Sequence, residues 1–329
     1  MSIKTKFLIL IITLVVLVFL SLSLGSVIIP FDSLKNIFLS RDHSSLYAFL
    51  IWEYRLPKMA TLIFTGISLG LSGLMMQSLF RNPIAGPYVL GLSAGAGLFV
   101  AFVLLGGSLL GWSLGWISLS VAAALGSIFT LILILAFYFK LKDIASLLII
   151  GLMLGIFSGA IIQILSFFSQ AEALQKYVFW SMGNPGNIGK NELIFFGISV
   201  LILTLLSFFL IKSLNALLLG ENYALSLGFS MKKNQLHIIL ISGILTGLVT
   251  AFVGPVAFVG LMVPHIARKI FKTQLHEILI PAVILIGAAL LLLCDLIAQL
   301  PGDPRVLPLN GVTALLGAPL VIYLVYSRK

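Results

Sequence analysis

Charge is scarce in this chain. Only 9% of its 329 residues are Asp, Glu, Lys or Arg, whereas 60% are hydrophobic, and the mean hydropathy is +1.19. Soluble domains carry roughly 25% charged residues, so this composition excludes a protein with a water-facing surface all round. Apolar runs repeatedly reach the ~20 residues that a helix needs to cross a bilayer. The composition therefore predicts an all-α membrane protein with several spans.

Cysteine is nearly absent as well. Cys294 is the single cysteine, which excludes an intramolecular disulfide and a site with several cysteine ligands. The four histidines show no spacing typical of metal ligands. They are His43, His237, His265 and His276. We expect this chain to bind no metal and no cofactor.

The sequence also lacks a P-loop. That motif needs Gly-x-x-x-x-Gly-Lys followed by Ser or Thr, because backbone amides wrap the phosphate and a hydroxyl holds magnesium. The nearest segment is Gly189-Lys190-Asn191, where Asn184 replaces the first glycine and Asn191 the hydroxyl residue. No set of His, Asp and Ser converges on a catalytic site either. We expect no enzymatic activity, so any ATP and magnesium would be used by a partner protein.

The formal net charge is +10, but the basic residues stand in short clusters between apolar runs. Proteins that bind nucleic acid gather such charge on one face or tail. Scattered clusters are typical of loops that orient helices in a lipid bilayer. The pattern indicates contact with membrane lipid and argues against a nucleic-acid partner.

Apolar runs predict nine helices and leave one short segment to assign. The helices are expected at about 4–25, 57–79, 90–107, 113–139, 144–169, 191–212, 233–253, 275–300 and 309–327. The segment 254–267 would reach about 21 Å as a helix, less than the ~30 Å hydrocarbon core. If it crosses nevertheless, 13 of the 20 basic residues lie on the side of both termini. This bias predicts ten spans, cytoplasmic termini, and a short span that is shielded by protein.

Three glycines repeat at helical spacing on the fifth predicted helix, namely Gly151, Gly155 and Gly159. Such a stripe lets two helix backbones approach closely in lipid. Two interpretations stay open: packing within one chain, or a face that lines an interface or a transport path.

The polar stretch of about 214–230 is expected on the cytoplasmic side. Glu221 begins a short run with Tyr223, Leu225 and Leu227 before Gly228, which suits an amphipathic helix closed by a left-handed glycine. Its apolar side chains need a cover, either a partner protein or the membrane surface. Neither this stretch nor the outer stretch 30–58 is long enough for a separate domain, so residues 1–329 are interpreted as one membrane domain.

Five motifs occur in order along the chain. They are Arg55-Leu56-Pro57-Lys58, Leu79-Phe80-Arg81-Asn82-Pro83, Gly220-Glu221 with Leu227-Gly228, Gly254-Pro255 with Pro264-His265 and Arg268, and Gly311-Val312-Thr313-Ala314 with Gly317-Ala318-Pro319. Together they resemble the FecCD family of ABC importer permeases, which carry iron–siderophore, haem and vitamin B12. The likeness covers nearly the whole chain.

This resemblance implies a ten-helix permease of the type II ABC importer fold in a bacterial inner membrane. Such a permease pairs with a second copy or a homologous permease, two cytoplasmic ABC ATPase subunits and an extracytoplasmic binding protein. The surface that couples to the ATPase would be formed by Gly220, Glu221, Ala224, Leu227 and Gly228. The transport path would follow the dimer axis, where the fifth helix is a lining element.

The resemblance also implies sites on the outer face. In vitamin B12 permeases of the family, arginines beside the Arg-Leu-Pro motif dock glutamates of the binding protein, and Arg55 and Lys58 match these positions. A further arginine is replaced by Gln299 here. Anchoring of Arg55 and Lys58 at the lipid headgroups is the alternative. For Asp295, near the same end of its helix, we expect a polar partner or an interface contact.

The turn before the sixth helix matches the outer gate of the family. Its candidate gate residues are Trp180, Gly183, Pro185 and Gly186, although glycine and proline equally suit an ordinary loop. His265 is expected to form a structural hydrogen bond rather than to bind a ligand.

Two rival functions remain to be tested. A transporter driven by an ion gradient needs ionisable groups in mid-membrane, for which Asp295 is the one candidate. A membrane enzyme would need a catalytic constellation that the sequence does not show. The motifs are shared by permeases for siderophores, haem and cobalamin, so they select no cargo among these chelates.

Overall fold

The computed structural model describes residues 2–40, 45–107, 116–141, 144–186, 188–219, 231–299 and 305–326. Regular structure within these ranges is entirely helical. The helices are α1 (Ile3–Ser23), α2 (Phe31–Ser40), α3 (Leu46–Leu79), α4 (Leu92–Gly106), α5 (Trp116–Lys140), α6 (Ala145–Phe168), α7 (Ala171–Ser181), α8 (Lys190–Phe209), α9 (Ile211–Leu219), α10 (Met231–Phe252), α11 (Val259–Phe271), α12 (His276–Ala298) and α13 (Leu309–Tyr326).

Ten of these helices account for the predicted spans. Seven are long and apolar enough to cross a membrane: α1, α3, α5, α6, α8, α10 and α12. Helices α4 and α13 are shorter apolar helices, and α11 has 13 residues. The sum of seven, two and one agrees with the predicted count of ten within the described part of the chain. The chain is an all-α, multi-span membrane protein.

Helix α3 departs from the prediction because it begins at Leu46 rather than near Pro57. The residues before Pro57 are therefore helical, not a polar loop. A π-helical turn over Leu50–Arg55 ends two residues before Pro57. The proline has no N–H for the α-helical pattern, and a wider turn accommodates this local break. Helices α2 and α7 were also missed by the sequence analysis.

Helix α3 lies at the centre of the molecule, packed on α8, α10, α11 and α12. Small residues allow this close packing. A Cβ atom at Gly66 would lie 2.2 Å from the carbonyl oxygen of Gly287, and one at Gly73 only 1.9 Å from that of Gly260. Helices α1 and α6 are peripheral and largely exposed. Their apolar side chains are available to lipid or to another protein.

Two irregular segments meet inside this bundle. One joins α3 to α4, and the other, residues 253–258, joins α10 to α11. The hydroxyl of Tyr88 from the first segment donates to the carbonyl oxygen of Val256 and accepts its N–H at 3.0 Å. The N–H of Ala257 donates to Asn310 Oδ1 at 2.9 Å. Side chains thus pair backbone groups that a helix would pair internally, as a segment buried among spans requires.

Candidate functional site

Arg55 is bound to the end of α1. Its guanidinium donates to the carbonyl oxygens of Leu22, in the last turn of α1, and of Val27, in the turn that follows. The last carbonyl groups of a helix have no partner within the helix, so a cation is well suited to this place. The side chain is only partly exposed. It fastens the end of α1 to α3.

Lys58 is paired with a buried carboxylate. Its Nζ lies 2.7 Å from Asp295 Oδ1, and the Asp295 side chain is only 4% exposed. Gln299 donates to the other oxygen of Asp295. The polar partner expected for Asp295 is therefore confirmed. Gln299, which stands where some relatives are expected to carry an arginine, takes part in the same cluster.

These side chains surround a shallow pocket of about 240 Å³ at the predicted outer end of α1, α3 and α12. Tyr54 and Ser26 complete much of its polar lining. The two cations expected to dock a binding protein are thus already bound within the chain. Docking by Arg55 and Lys58 stays a prediction, but their geometry gives both residues a structural role.

The candidate gate turn is attached to the irregular segment between α10 and α11. The N–H of Asn184 donates to the carbonyl oxygen of Val253 at 2.8 Å, and that of Asn310 donates to Met182 at 3.1 Å. Gly183 has a φ of 75°, a left-handed conformation that favours glycine. Pro185 is buried, whereas the N–H of Gly186 donates to Asn184 Oδ1 at 3.0 Å. The turn is therefore an anchored structure with a defined shape.

Trp180 and Asn184 border a cavity of about 650 Å³ between α5, α7, α8 and α10. Lys190, Glu192 and Phe252 contribute both polar and aromatic surface to its wall. Trp180 itself is buried, with only 7% of its surface exposed. The cavity has the size of a small-molecule site, and it lies beside the predicted gate.

The glycine stripe divides into two parts. A Cβ atom at Gly151 would lie 2.1 Å from the carbonyl oxygen of Val89, so this glycine serves packing within the chain. A Cβ atom at Gly155 would meet only the Ala94 side chain at 3.9 Å, and one at Gly159 would meet nothing within 4 Å. Packing within the chain is therefore shown for Gly151, whereas a role of Gly155 and Gly159 at an interface or a transport path stays a prediction.

The family-motif residues cluster at the predicted cytoplasmic end of α3. His265 Nε2 lies 2.9 Å from the carbonyl oxygen of Pro83, which confirms the structural hydrogen bond expected for His265. Arg268 donates to Gln77 Oε1. Pro264 is buried within α11.

Residues of two motifs shape the backbone. Asn82 Oδ1 accepts the N–H of Ile84 at 3.0 Å, and Arg81 precedes it with a φ of 48°. At the other motif, Gly254 has a φ of 88°, and a Cβ there would lie 2.7 Å from the Trp180 carbonyl oxygen. Only glycine satisfies both conditions at Gly254. Pro255 follows it, and its carbonyl oxygen borders Gly183.

The expected coupling residues lie outside the described residues. They are Gly220, Glu221, Ala224, Leu227 and Gly228. The helix that leads to them, α9, ends at Leu219 and buries Ser213, Leu214, Ala216 and Leu217 against α3 and α12.

Comparison with known proteins decides the family. Residues 13–327 match the FecCD transport family. The chain belongs to the FecCD family. The resemblance inferred from five motifs is thereby confirmed.

Several transport permeases are similar to this FecCD chain. It is 33% identical over 295 residues to a provisionally assigned ABC transporter permease protein of Methanocaldococcus jannaschii, covering 85% of this chain and 84% of the relative. It is 35% identical over 283 residues to the vitamin B12 import system permease protein BtuC of Klebsiella pneumoniae, covering 85% and 83%. A solved inward-facing structure of a provisionally assigned metal-chelate type ABC transporter matches with a TM-score of 0.86 and 30% identity, covering 99% of this chain and 100% of that one.

The sequence analysis missed one polar cluster of this FecCD protein. His276 is completely buried at the start of α12, between Asn215 of α9 and Ser78 of α3. The sequence analysis places it among the scattered histidines. Its position at the first residue of an apolar span was a usable signal, because a polar ring there must find partners when it is buried.

Within the described ranges, no three His, Cys, Asp or Glu side chains lie close enough to hold a metal ion.

Proposed function

We propose that this chain is the membrane-spanning permease subunit of a binding-protein-dependent ABC importer. Its cargo is a chelate of the iron–siderophore, haem or cobalamin class, which it moves into the cytoplasm. The observation that carries the proposal is the likeness over 99% of the chain, with a TM-score of 0.86, to a transporter described as metal-chelate type. The similarity to vitamin B12 import permeases over 85% of the chain supports the same cargo class.

The permease works as a pair, with a second copy or a homologous permease. The exposed side of α6 supports pairing. Beside Gly155 and Gly159 it carries three exposed apolar side chains: Leu152, Ile156 and Phe157 are 54%, 65% and 63% exposed. Small residues flanked by exposed apolar side chains suit helix packing in lipid. All 329 residues form one permease domain, placed in a bacterial inner membrane with both termini in the cytoplasm.

ATP and magnesium are used by two partner ATPase subunits. The chain's sequence lacks the P-loop that a phosphate site of this kind needs. The coupling residues Gly220, Glu221, Ala224, Leu227 and Gly228 receive the movement of the ATPases. Helix α9, packed on α3 and α12, supports this assignment because it connects the coupling residues directly to the central helices.

Transport proceeds by alternating access. A loaded binding protein docks on the outer face near Arg55 and Lys58, and the gate residues Trp180, Gly183, Pro185 and Gly186 then open a path along the pair's axis. The gate turn donates a hydrogen bond to the carbonyl oxygen of Val253 and accepts one from the N–H of Asn310, which supports a coupled movement of the turn with the end of α10 and with α13. The cargo passes without a chemical change.

A transporter driven by an ion gradient is less well supported. It would need ionisable groups free to exchange a proton or sodium in mid-membrane. Asp295 was the candidate, but it is paired with Lys58 at 2.7 Å and with Gln299. This pairing occupies both carboxylate oxygens near the end of α12.

Reconstitution in liposomes tests the proposed function. We expect uptake of a ferric chelate or cobalamin only when the permease, its ATPase, its binding protein and ATP are all present. Ligand titration of the co-purified binding protein then identifies the cargo. Accumulation by the permease alone under a proton or sodium gradient would contradict the proposal and support the rival.

A further inference from the structure

His276 lies where three helices meet. It is the first residue of α12 and has no exposed surface. Asn215 Oδ1 of α9 accepts its backbone N–H at 2.9 Å and lies 2.9 Å from its Nδ1. Its Nε2 lies 2.8 Å from Ser78 Oγ of α3. Each ring nitrogen therefore contacts a different helix.

The hydrogen-bond pattern determines the role of each nitrogen. An amide oxygen only accepts, so the Nδ1 beside Asn215 Oδ1 carries the hydrogen. Ser78 Oγ lies 2.8 Å from both Nε2 and the carbonyl oxygen of Leu74, so in a neutral ring the single hydroxyl hydrogen is shared between these two acceptors. The planar imidazole ring thus hydrogen-bonds two helices at once: Nδ1 donates to Asn215 of α9, and Nε2 is an acceptor beside Ser78 of α3. No apolar side chain can replace both ends.

The inner end of α3 carries a second link beside the first. Gln77, the residue before Ser78, accepts from Arg268 of α11 and donates from Nε2 to the carbonyl oxygen of Leu261 at 3.3 Å. Farther along α3, Gly66 packs closely on Gly287 of α12 and Gly73 packs closely on Gly260 of α11. We therefore expect a displacement that reaches Ser78 to involve α3, α11 and α12 together.

Helix α9 is the last described helix before the proposed coupling residues. Its apolar contacts with α3 and α12 are nondirectional, whereas the Asn215–His276 contact is directional and partly buried. We propose that Asn215, His276 and Ser78 form a joint, in which His276 is the positioning residue that transmits movement of the coupling residues to α3 and α12. This inference rests on the proposed function and adds to it the connection between the coupling residues and the helix bundle.

Substitutions that keep one end of the link test the joint. In His276→Asn the side-chain amide lies near the Nδ1 position and keeps the donor towards Asn215. In His276→Gln the longer side chain brings its amide near the Nε2 position and keeps the contact with Ser78. Because the two bonds act in series, we expect either variant to lower uptake per ATP hydrolysed by about tenfold, the factor that corresponds to the loss of one buried hydrogen bond. Asn215→Ala and Ser78→Ala are expected to do the same, and their double variant should lose no more than either alone.

Ser72→Ala is the matched control. Ser72 is another buried serine of α3, and its Oγ bonds Thr246 Oγ1 at 2.8 Å without any connection to α9. We expect it to lower the melting temperature as much as Ser78→Ala while leaving uptake per ATP unchanged.

The measurements are ATPase rate, uptake and melting temperature of the full reconstituted complex. The joint is supported if the ATPase rate persists while uptake per ATP falls in the joint variants only. It is overturned if the joint variants and Ser72→Ala lose stability alike and keep uptake per ATP within twofold of wild type. Absence of ATP-dependent uptake by the wild-type complex would instead overturn the proposed function, and the joint with it.

Discussion

The pair formed by Lys58 and Asp295 illustrates how a buried acid is kept in an apolar helix. The Asp295 side chain is 4% exposed, so its charge is largely removed from water. An unpaired buried charge is costly, and removal of one partner leaves that cost uncompensated. Lys58 and Gln299 together supply the partners that make Asp295 tolerable near the end of α12.

Lys58→Met is therefore expected to destabilise the protein by up to about 3 kcal/mol, the low end for buried pairs because Lys58 is partly exposed. The double variant Lys58→Met, Asp295→Leu should recover most of that loss, since it removes both charges. Thermal unfolding in detergent measures the two effects.

Measuring the affinity of the same variants for the binding protein distinguishes a structural role of Lys58 from a role in docking. If Lys58 also docks the partner, the stable double variant binds it more weakly than wild type does. A single Lys58→Met variant as stable as wild type would contradict the structural role of the pair.

At the scale of elements, the irregular segment between α10 and α11 depends on one phenol group. The Tyr88 hydroxyl serves both the N–H and the carbonyl oxygen of Val256. A phenol keeps its hydrogen at every physiological pH, so the Tyr88 hydroxyl remains able to donate.

We expect Tyr88→Phe to destabilise the protein by about 2 kcal/mol, because it leaves two buried backbone groups without a partner. Tyr54→Phe is the control, since the Tyr54 side chain is 59% exposed and should change stability little. The melting temperatures of the two variants are compared. Equal values would show that water or another group replaces the hydroxyl.

The helices also show which features of the fold a local sequence pattern can predict. Each of the nine apolar runs corresponds to a helix, because hydrophobicity sustained over a span is a local property. The start of α3 was placed 11 residues too late, since the stretch 30–58 was interpreted as a polar segment outside the membrane. Glu53 is paired with Lys190, whose Nζ lies 2.7 Å from its carboxylate, and Arg55 donates to the carbonyl oxygen of Leu22 at the end of α1. These partners are distant in sequence, so no local pattern reveals them.

For the whole molecule, the open face of α6 predicts assembly. Gly159→Leu is expected to weaken pairing of permease subunits without unfolding the chain, because nothing lies within 4 Å of its Cβ position. Gly151→Leu should instead prevent folding, since its Cβ would lie 2.1 Å from the carbonyl oxygen of Val89. Light scattering after gel filtration, with melting temperatures, distinguishes the two results. An unchanged pair in Gly159→Leu would place the interface elsewhere.

The sequence by itself determined the class of the molecule: a many-span membrane protein of the FecCD family with no P-loop of its own. Composition, run length and ordered motifs carry that information because each is local or is read along the chain. Only the tertiary structure decided that Arg55 and Lys58 are bound within the chain, that Gly151 and Gly159 face different surroundings, and that His276 links three helices. Those facts depend on contacts such as the one between Ser78 and His276, 198 residues apart, whose partners are chosen by the packing of helices in three dimensions.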